Sequence, residues 1–133
     1  MTDIFASTNG GYRVDVRAGE RTTVMDEPAS VGGTDAGPTP MEMALASLAG
    51  CTAITLKMYS ARKGWPLEDV DIQVHLETPP KGQKDVAPKI TQTVTLKGEL
   101  DDEQRERLRQ IAGRCPVHRL MEGPLDFEEV LTA

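Results

Sequence analysis

The segment from Pro40 to Lys63 constrains the fold of this chain more than any other part of its sequence. It begins with the signals of a helix N-terminus. Thr39 suits the N-cap, Pro40 suits the first helical position, and Glu42 stands where a capping box places its acid. Gly64 follows the last residue of the segment, as is typical of a helix end. The sequence therefore predicts one long helix over residues 40–63.

Both sides of this predicted helix are apolar, which indicates that it is buried on nearly all sides. One stripe, at spacings of three and four, holds Met41, Ala44, Leu48, Cys51, Thr55 and Met58. The opposite side holds Met43, Ala46, Ser47, Gly50 and Ile54. One modest sheet covers only one side of such a helix, and the small residues Ala46, Gly50 and Ala53 allow close approach of another helix. We therefore expect a homodimer.

Strands and shorter helices are predicted on both sides of the long helix. A short strand is predicted over residues 4–8, a hairpin over 12–17 and 21–26, two further strands over 70–76 and 90–97, and a closing strand over 125–131. A charged helix is predicted over residues 102–112, with Asp101 as its cap, and a short helix begins at Cys115-Pro116. This order of elements predicts a single α+β domain over residues 1–133.

Composition excludes several classes of function. The 133 residues carry 15 basic and 21 acidic side chains, a formal charge of −6, and this balance argues against nucleic-acid binding. The apolar run from Met43 to Leu56 is too short and too polar to span a membrane. The N-terminus shows no secretory signal. We therefore expect a cytoplasmic protein, in which a bonded cysteine pair is more often catalytic or sensing than structural.

The chain has two cysteines, Cys51 and Cys115, and each has two interpretations. Cys51 lies on the apolar stripe, where a cysteine by itself behaves as a small buried hydrophobe. Cys115 precedes Pro116 at a predicted helix start, where backbone N–H groups and the helix dipole stabilise a thiolate. His118 and Arg119 lie within one turn and add positive charge. The alternative for Cys115 is a capping or partly buried thiol without reactivity.

A zinc site is not expected from these cysteines. His118 and His75 are the only histidines, and the alternation of its strand places His75 on the polar face. No pair of residues has the Cys-x2-4-Cys spacing that is typical of zinc sites. We therefore expect neither a metal nor a cofactor.

Two segments together resemble the OsmC/Ohr family, which comprises osmotically inducible protein C and the organic hydroperoxide resistance proteins. The stretch GGTDAGPTPMEMALASLAGC, residues 32–51, resembles the central-helix signature of that family. The stretch RCPVHR, residues 114–119, resembles the segment that holds the second cysteine of the family. The chain length and the order of the predicted elements also agree with those of the family, so the resemblance covers nearly the whole chain.

The resemblance implies an intertwined α+β homodimer with active sites at the interface, and thiol-dependent reduction of organic hydroperoxides. Cys51 would attack the hydroperoxide and become a sulfenic acid, and Cys115 would condense with it to a disulfide. A dithiol reductant, either a small thiol or a thiol-reducing protein, would reopen that bond. A nearby second thiol also prevents overoxidation of the first. The alternative is a non-peroxidatic relative that binds a small molecule or acts as a thiol redox sensor.

The resemblance also implies that an arginine from the N-terminal strands activates the thiolate, held by a glutamate that directly follows the helix-starting proline. Here Met41 occupies that position and the acid is Glu42. Glu42 stands nine residues before Cys51, which places it on the opposite face of a regular helix. A capping-box role is the alternative for this residue.

The arginine has several candidates in the N-terminal strands. Arg13 is the nearest match, and Arg17 and Arg21 are the alternatives. Each is otherwise an outward-facing strand residue. The candidate catalytic residues are therefore Cys51, Cys115, Glu42 and Arg13.

Overall fold

The computed structural model describes residues 2–132, which form two compact units divided between Ala46 and Ser47. The elements are β1 (Phe5–Thr8), β2 (Val14–Ala18), β3 (Arg21–Met25), α1 (Pro40–Lys63), β4 (Asp69–Glu77), β5 (Lys89–Lys97), α2 (Asp102–Ala112) and α3 (Pro116–Glu122). This is the predicted α+β order, with N-terminal strands, one long helix, further strands and short helices. The single domain over residues 1–133 stays a prediction.

The N-terminal unit contains an antiparallel three-stranded sheet in the order β1-β2-β3. Ala18 pairs with Arg21 across a two-residue turn, so the predicted hairpin is confirmed. Gly19, at the first turn position, has φ 62°. Tight hairpin turns need a positive φ there, and glycine adopts it without steric cost.

The loop between β3 and α1 is organised by Asp26, whose side chain is buried. Its carboxylate accepts hydrogen bonds from the hydroxyl and backbone N–H of Thr34 and from the backbone N–H groups of Ala36 and Glu27. The Thr34 hydroxyl contributes most, and together these donors outweigh burial and lower the pKa of Asp26 from 3.8 to about 2. The backbone N–H of Asp26 also donates to the carbonyl of Pro38, just before α1 begins. One carboxylate therefore fixes the path of the chain into the long helix.

In the C-terminal unit, β4 and β5 form an antiparallel pair with Ile72 opposite Val94. Alternate residues of both strands turn towards the two helices that cover this sheet. The core consists of Leu56 of α1 with Leu108, Ile111 and Ala112 of α2, and the inward strand residues pack against it. Removal of these apolar side chains from water is the main force that holds this unit together.

The structure corrects the predicted stripe of α1. The buried residues of this helix are Leu48, Thr52, Leu56 and Ser60, at a constant spacing of four, whereas Met58 is 64% exposed. Of the predicted stripe, only Leu48 is fully buried; Cys51 and Thr55 are half-buried, and Met41 is exposed like Met58. Thr52 can be buried because its hydroxyl has hydrogen-bond partners inside the unit.

The predicted strand over residues 125–131 is also wrong, because this segment has no strand conformation. Its apolar side chains point to water, and Leu131 is 91% exposed. A strand needs a neighbouring strand for its N–H and C=O groups, and residues 125–131 pair with none within the described part of the chain.

No helix within residues 2–132 is long and apolar enough to cross a membrane.

Candidate active site

Cys115 is the N-cap of α3, and its side chain is 0% exposed. Its backbone is extended, with φ −66° and ψ 149°, and Pro116 follows at the first helical position. The sulfur accepts a hydrogen bond from the backbone N–H of His118 at 3.3 Å. A cysteine thus does here what serine or aspartate does at most helix starts. The predicted helix start at Cys115-Pro116 is confirmed.

Cys51 lies near the middle of α1, half-buried, and its sulfur contacts the same helical turn. It accepts a hydrogen bond from the backbone N–H of Val117 at 3.5 Å. Val117 and His118 are consecutive, so two neighbouring N–H groups of α3 point at the two sulfurs. Both cysteines are free thiols. The structure therefore brings the two predicted redox residues together at the first turn of α3.

On its other side, Cys115 contacts the buried Thr52, which is hydrogen-bonded to the half-buried Gln92, a pair that the sequence did not predict. The hydroxyl of Thr52 lies 3.6 Å from the Cys115 sulfur and 2.8 Å from Oε1 of Gln92. The available signal was Gln92, a polar side chain at an inward position of a strand whose next inward residue is Val94. Such a residue needs a buried partner.

A groove of about 450 Å³ lies beside this pair. Its apolar wall includes Leu48, Ile90, Val94, Ala112 and Met121, and its polar wall includes Gln92, Arg109 and His118. His118 is held by Glu122, with 2.7 Å between Nε2 and the carboxylate, while its buried Nδ1 has no hydrogen-bond partner among residues 2–132. Neither cysteine lines this groove. Such a mixture of surfaces suits a small amphipathic molecule.

Glu42 is engaged at the start of its own helix. Its carboxylate accepts a hydrogen bond from the backbone N–H of Thr39 at 2.9 Å, and the Thr39 hydroxyl accepts one from the N–H of Glu42. The hydrogen bond from the Thr39 N–H lowers the pKa of Glu42. The predicted capping box is confirmed. The catalytic role of Glu42 stays a prediction.

Arg13 forms an exposed ion pair with Asp15, with 3.1 Å between the guanidinium and the carboxylate. Arg13 and Glu42 both lie in the described N-terminal unit, and they form no ion pair with each other. The structure therefore does not join this arginine and this glutamate as the resemblance implied. The role of Arg13 also stays a prediction.

No group of three or more His, Cys, Asp and Glu side chains within residues 2–132 is arranged to hold a metal ion.

The sequence model of the OsmC-like protein family matches residues 33–130, which include α1 and both cysteines. This chain belongs to the OsmC-like protein family. The predicted resemblance is confirmed, and so is the OsmC-like α+β fold. No curated protein matches the sequence.

Solved structures of other OsmC-like proteins share this fold. An OsmC-like protein from Mycoplasma pneumoniae is 17% identical, with a TM-score of 0.78 over 92% of this chain and 88% of that one. An organic hydroperoxide resistance protein OsmC, described as a predicted redox protein and regulator of sulfide bond formation, from Legionella pneumophila is 20% identical, with a TM-score of 0.68 over 92% and 90%. The organic hydroperoxide resistance protein OhrB of Bacillus subtilis is 23% identical, with a TM-score of 0.59 over 95% and 93%.

Proposed function

We propose that this OsmC-like protein reduces organic hydroperoxides with Cys51 and Cys115 as a redox pair. The proposal is carried by the two sulfurs, which accept hydrogen bonds from the consecutive N–H groups of Val117 and His118. The Legionella pneumophila and Bacillus subtilis proteins of this fold are both named as organic hydroperoxide resistance proteins, which supports the same chemistry.

Cys51 is proposed as the attacking thiol because it is half-buried, whereas Cys115 is fully buried. The Cys51 thiolate attacks one peroxide oxygen, so that an S–O bond forms and the O–O bond breaks. The other oxygen leaves as an alkoxide and takes a proton, which gives the alcohol. Cys51 is then a sulfenic acid. The N–H of Val117 holds this sulfur throughout.

Cys115 is proposed as the resolving thiol. Its sulfur attacks the Cys51 sulfur, so that an S–S bond forms and the S–O bond breaks. The leaving hydroxide takes the proton of the Cys115 thiol and departs as water. A dithiol reductant then reopens the bond by two exchanges and is itself oxidised to a disulfide. The net reaction converts hydroperoxide and dithiol into alcohol, water and the oxidised reductant.

The proposal includes an activating guanidinium from the N-terminal strands, with Arg13 as the first candidate and Arg17 and Arg21 as the alternatives. A positive charge within about 4–6 Å of a thiol favours the thiolate. To take this role, Arg13 would leave its exposed ion pair with Asp15. Exposed ion pairs contribute little to the free energy of folding, so this loss costs little stability. Glu42 is proposed to orient the arginine while it caps α1.

The proposal extends to a homodimer in the cytoplasm. Ile54 and Met58 of α1 are 61% and 64% exposed, and large apolar residues on one helix are typical of an interface. A second copy of this chain is proposed to cover them.

A titration with cumene hydroperoxide, followed by a count of free thiols, tests the peroxidase proposal directly. One equivalent should consume both thiols of the chain and give a disulfide between Cys51 and Cys115. The proposal fails if both thiols stay free after one equivalent. Cys115→Ser is the matched control and should lose its single thiol without forming an intramolecular disulfide.

The second candidate function is a small-molecule-binding or redox-sensing dimer without peroxidase turnover. The groove favours it, because its 450 Å³ is lined by Gln92 and His118 but by neither cysteine. If disulfide formation occurs with hydrogen peroxide or diamide but organic hydroperoxides are not turned over with dithiothreitol, the sensor becomes the better assignment.

A further inference from the structure

Thr52 is a buried polar residue that lies between Cys115 and Gln92. Its side chain is 0% exposed in the middle of α1, and its hydroxyl lies between the Cys115 sulfur and the Gln92 amide. The three side chains come from α1, β5 and the start of α3. They form one continuous hydrogen-bonded chain, Cys115–Thr52–Gln92, that ends at the groove lined by Gln92.

A threonine hydroxyl carries one proton, so it can donate to only one of these two neighbours at a time. The Gln92 oxygen is nearer, at 2.8 Å against 3.6 Å for the sulfur, and oxygen is the stronger acceptor. The Thr52 proton therefore points to Gln92. With the proton directed there, a lone pair of the Thr52 oxygen faces Cys115 and can accept the S–H proton of a neutral thiol, whereas the same contact lets Thr52 donate to the sulfur when its proton is free.

An amide has an acceptor oxygen at one end and a donor NH₂ at the other. If the Gln92 amide turns by half a rotation, its NH₂ donates to Thr52 and frees the Thr52 proton for the sulfur. That second arrangement suits a Cys115 thiolate, which can only accept. The chain thus has two complete hydrogen-bond patterns, one for the thiol and one for the thiolate.

We propose that Thr52 and Gln92 are positioning residues that adapt to Cys115 as it changes from thiol to thiolate, and so speed its attack on Cys51. This inference deepens the proposed function and rests on it for the resolving role of Cys115. The step itself is the one given above, in which the S–S bond forms and the S–O bond breaks. Thr52 and Gln92 exchange no atoms with the substrate.

The first experiment reads the hydrogen bond by the Raman S–H stretching band of Cys51→Ser protein, in which Cys115 is the only thiol. A hydrogen bond donated by the Cys115 S–H group to the Thr52 oxygen should place this band at a lower wavenumber than that of an unbonded thiol. Adding Thr52→Val should move it to the position of an unbonded thiol, and Thr52→Ser should leave it in place. Thr55→Val, the same chemical change at a half-buried site on the same helix, is the control. A band unmoved by Thr52→Val would overturn the inference.

The second experiment measures the rate of disulfide closure with diamide, a thiol oxidant that needs no peroxide step. Thr52→Val should slow closure about tenfold, which is the effect of one lost hydrogen bond to a charged group. Gln92→Glu places an acceptor beside Thr52 and should slow closure, because it holds the Thr52 proton away from the sulfur. Gln92→Met frees that proton and should not slow closure.

A purely structural link between β5 and α1 would make both Gln92 variants slow closure alike, and that result would overturn the inference. Neither experiment uses a hydroperoxide. Failure of the peroxidase proposal in the cumene hydroperoxide titration is therefore distinguishable from failure of the Thr52–Gln92 inference.

Discussion

Val117 donates its backbone N–H to the sulfur of Cys51 at 3.5 Å, which ties the middle of α1 to the first turn of α3. The next residue, His118, does the same for Cys115. A short helix start thus holds two thiols that are 64 positions apart in the sequence. The two sulfurs are therefore held by neighbouring backbone N–H groups of one helical turn.

The two cysteines should respond differently to replacement. Cys51→Ser should abolish consumption of cumene hydroperoxide, because the attacking thiol is gone. Cys115→Ser should complete one turnover and leave a sulfenic acid on Cys51 that dimedone traps. Dithiol recycling of this variant should fall well below the rate of the wild type. Equal activity of both variants would contradict the assigned roles.

The disulfide between Cys51 and Cys115 should act as a reversible switch. Closing this long loop should stabilise the oxidised protein by about 4 kcal/mol in the chain-entropy model. The midpoint of urea unfolding should therefore be higher after oxidation and should return under dithiothreitol. The circular dichroism spectrum of the reduced protein should stay that of a folded chain, because both thiols are already satisfied without the bond.

Local signals in the sequence predicted the helix ends well. The helix over residues 102–112 was predicted with its observed bounds from Asp101 as its cap, and the structure adds that Gln104 completes a capping box there. The start of α3 at Cys115-Pro116 was predicted because proline suits the first helical position. Capping depends on residues three positions apart, so the sequence alone contains the information.

Long-range contacts were predicted less well. The buried face of α1 and the polar chain at Cys115 depend on Thr52 meeting Gln92, 40 positions later. Hydrophobicity ranks Thr52 below Met58, and the contacts with Gln92 and Cys115 offset the cost of burying its hydroxyl. The apolar pattern of residues 125–131 similarly predicted a strand without any information on a partner strand.

Arginine replacement should identify the activating guanidinium. Arg13→Gln should slow the loss of Cys51 thiol with cumene hydroperoxide about tenfold or more, because a nearby cation favours the thiolate. Arg17→Gln in β2 and Arg21→Gln in β3 are the comparison variants, and Arg13 directly precedes β2. If one of these two slows oxidation and Arg13→Gln does not, the role belongs to that arginine. No effect from any of the three would remove the N-terminal strands from the mechanism.

Asp26 should make the stability of this protein depend on acid pH. Its pKa is about 2 in the folded chain, below its ordinary value of 3.8. The folded state therefore binds this proton less readily than the unfolded state does, and the stabilisation is complete above about pH 4. It is lost as the pH falls from 3.8 towards 2.

Asp26→Asn should lower the free energy of unfolding at neutral pH and flatten its fall between pH 4 and pH 2. Urea titrations at several pH values measure both effects. Asp35→Asn, the same change at an exposed site of the same loop, is the control and should keep the wild-type profile. An unchanged acid profile in Asp26→Asn would assign the acid dependence to other carboxylates.

Gly50 offers a test of the homodimer that spares the fold of one chain. It is exposed on α1, and a Cβ atom added there meets no atom within 4 Å among the described residues. Leucine at this position also favours helix more than glycine does, by up to about 1 kcal/mol. Gly50→Leu should therefore fold.

The Gly50→Leu variant should block the close approach of a second helix and shift sedimentation equilibrium from dimer to monomer at low micromolar concentration. Ala61→Leu, exposed in the last turn of the same helix, is the control and should stay dimeric. A wild-type protein that sediments as a folded monomer would contradict the dimer itself, whereas a dimeric Gly50→Leu would place the interface away from this face of α1.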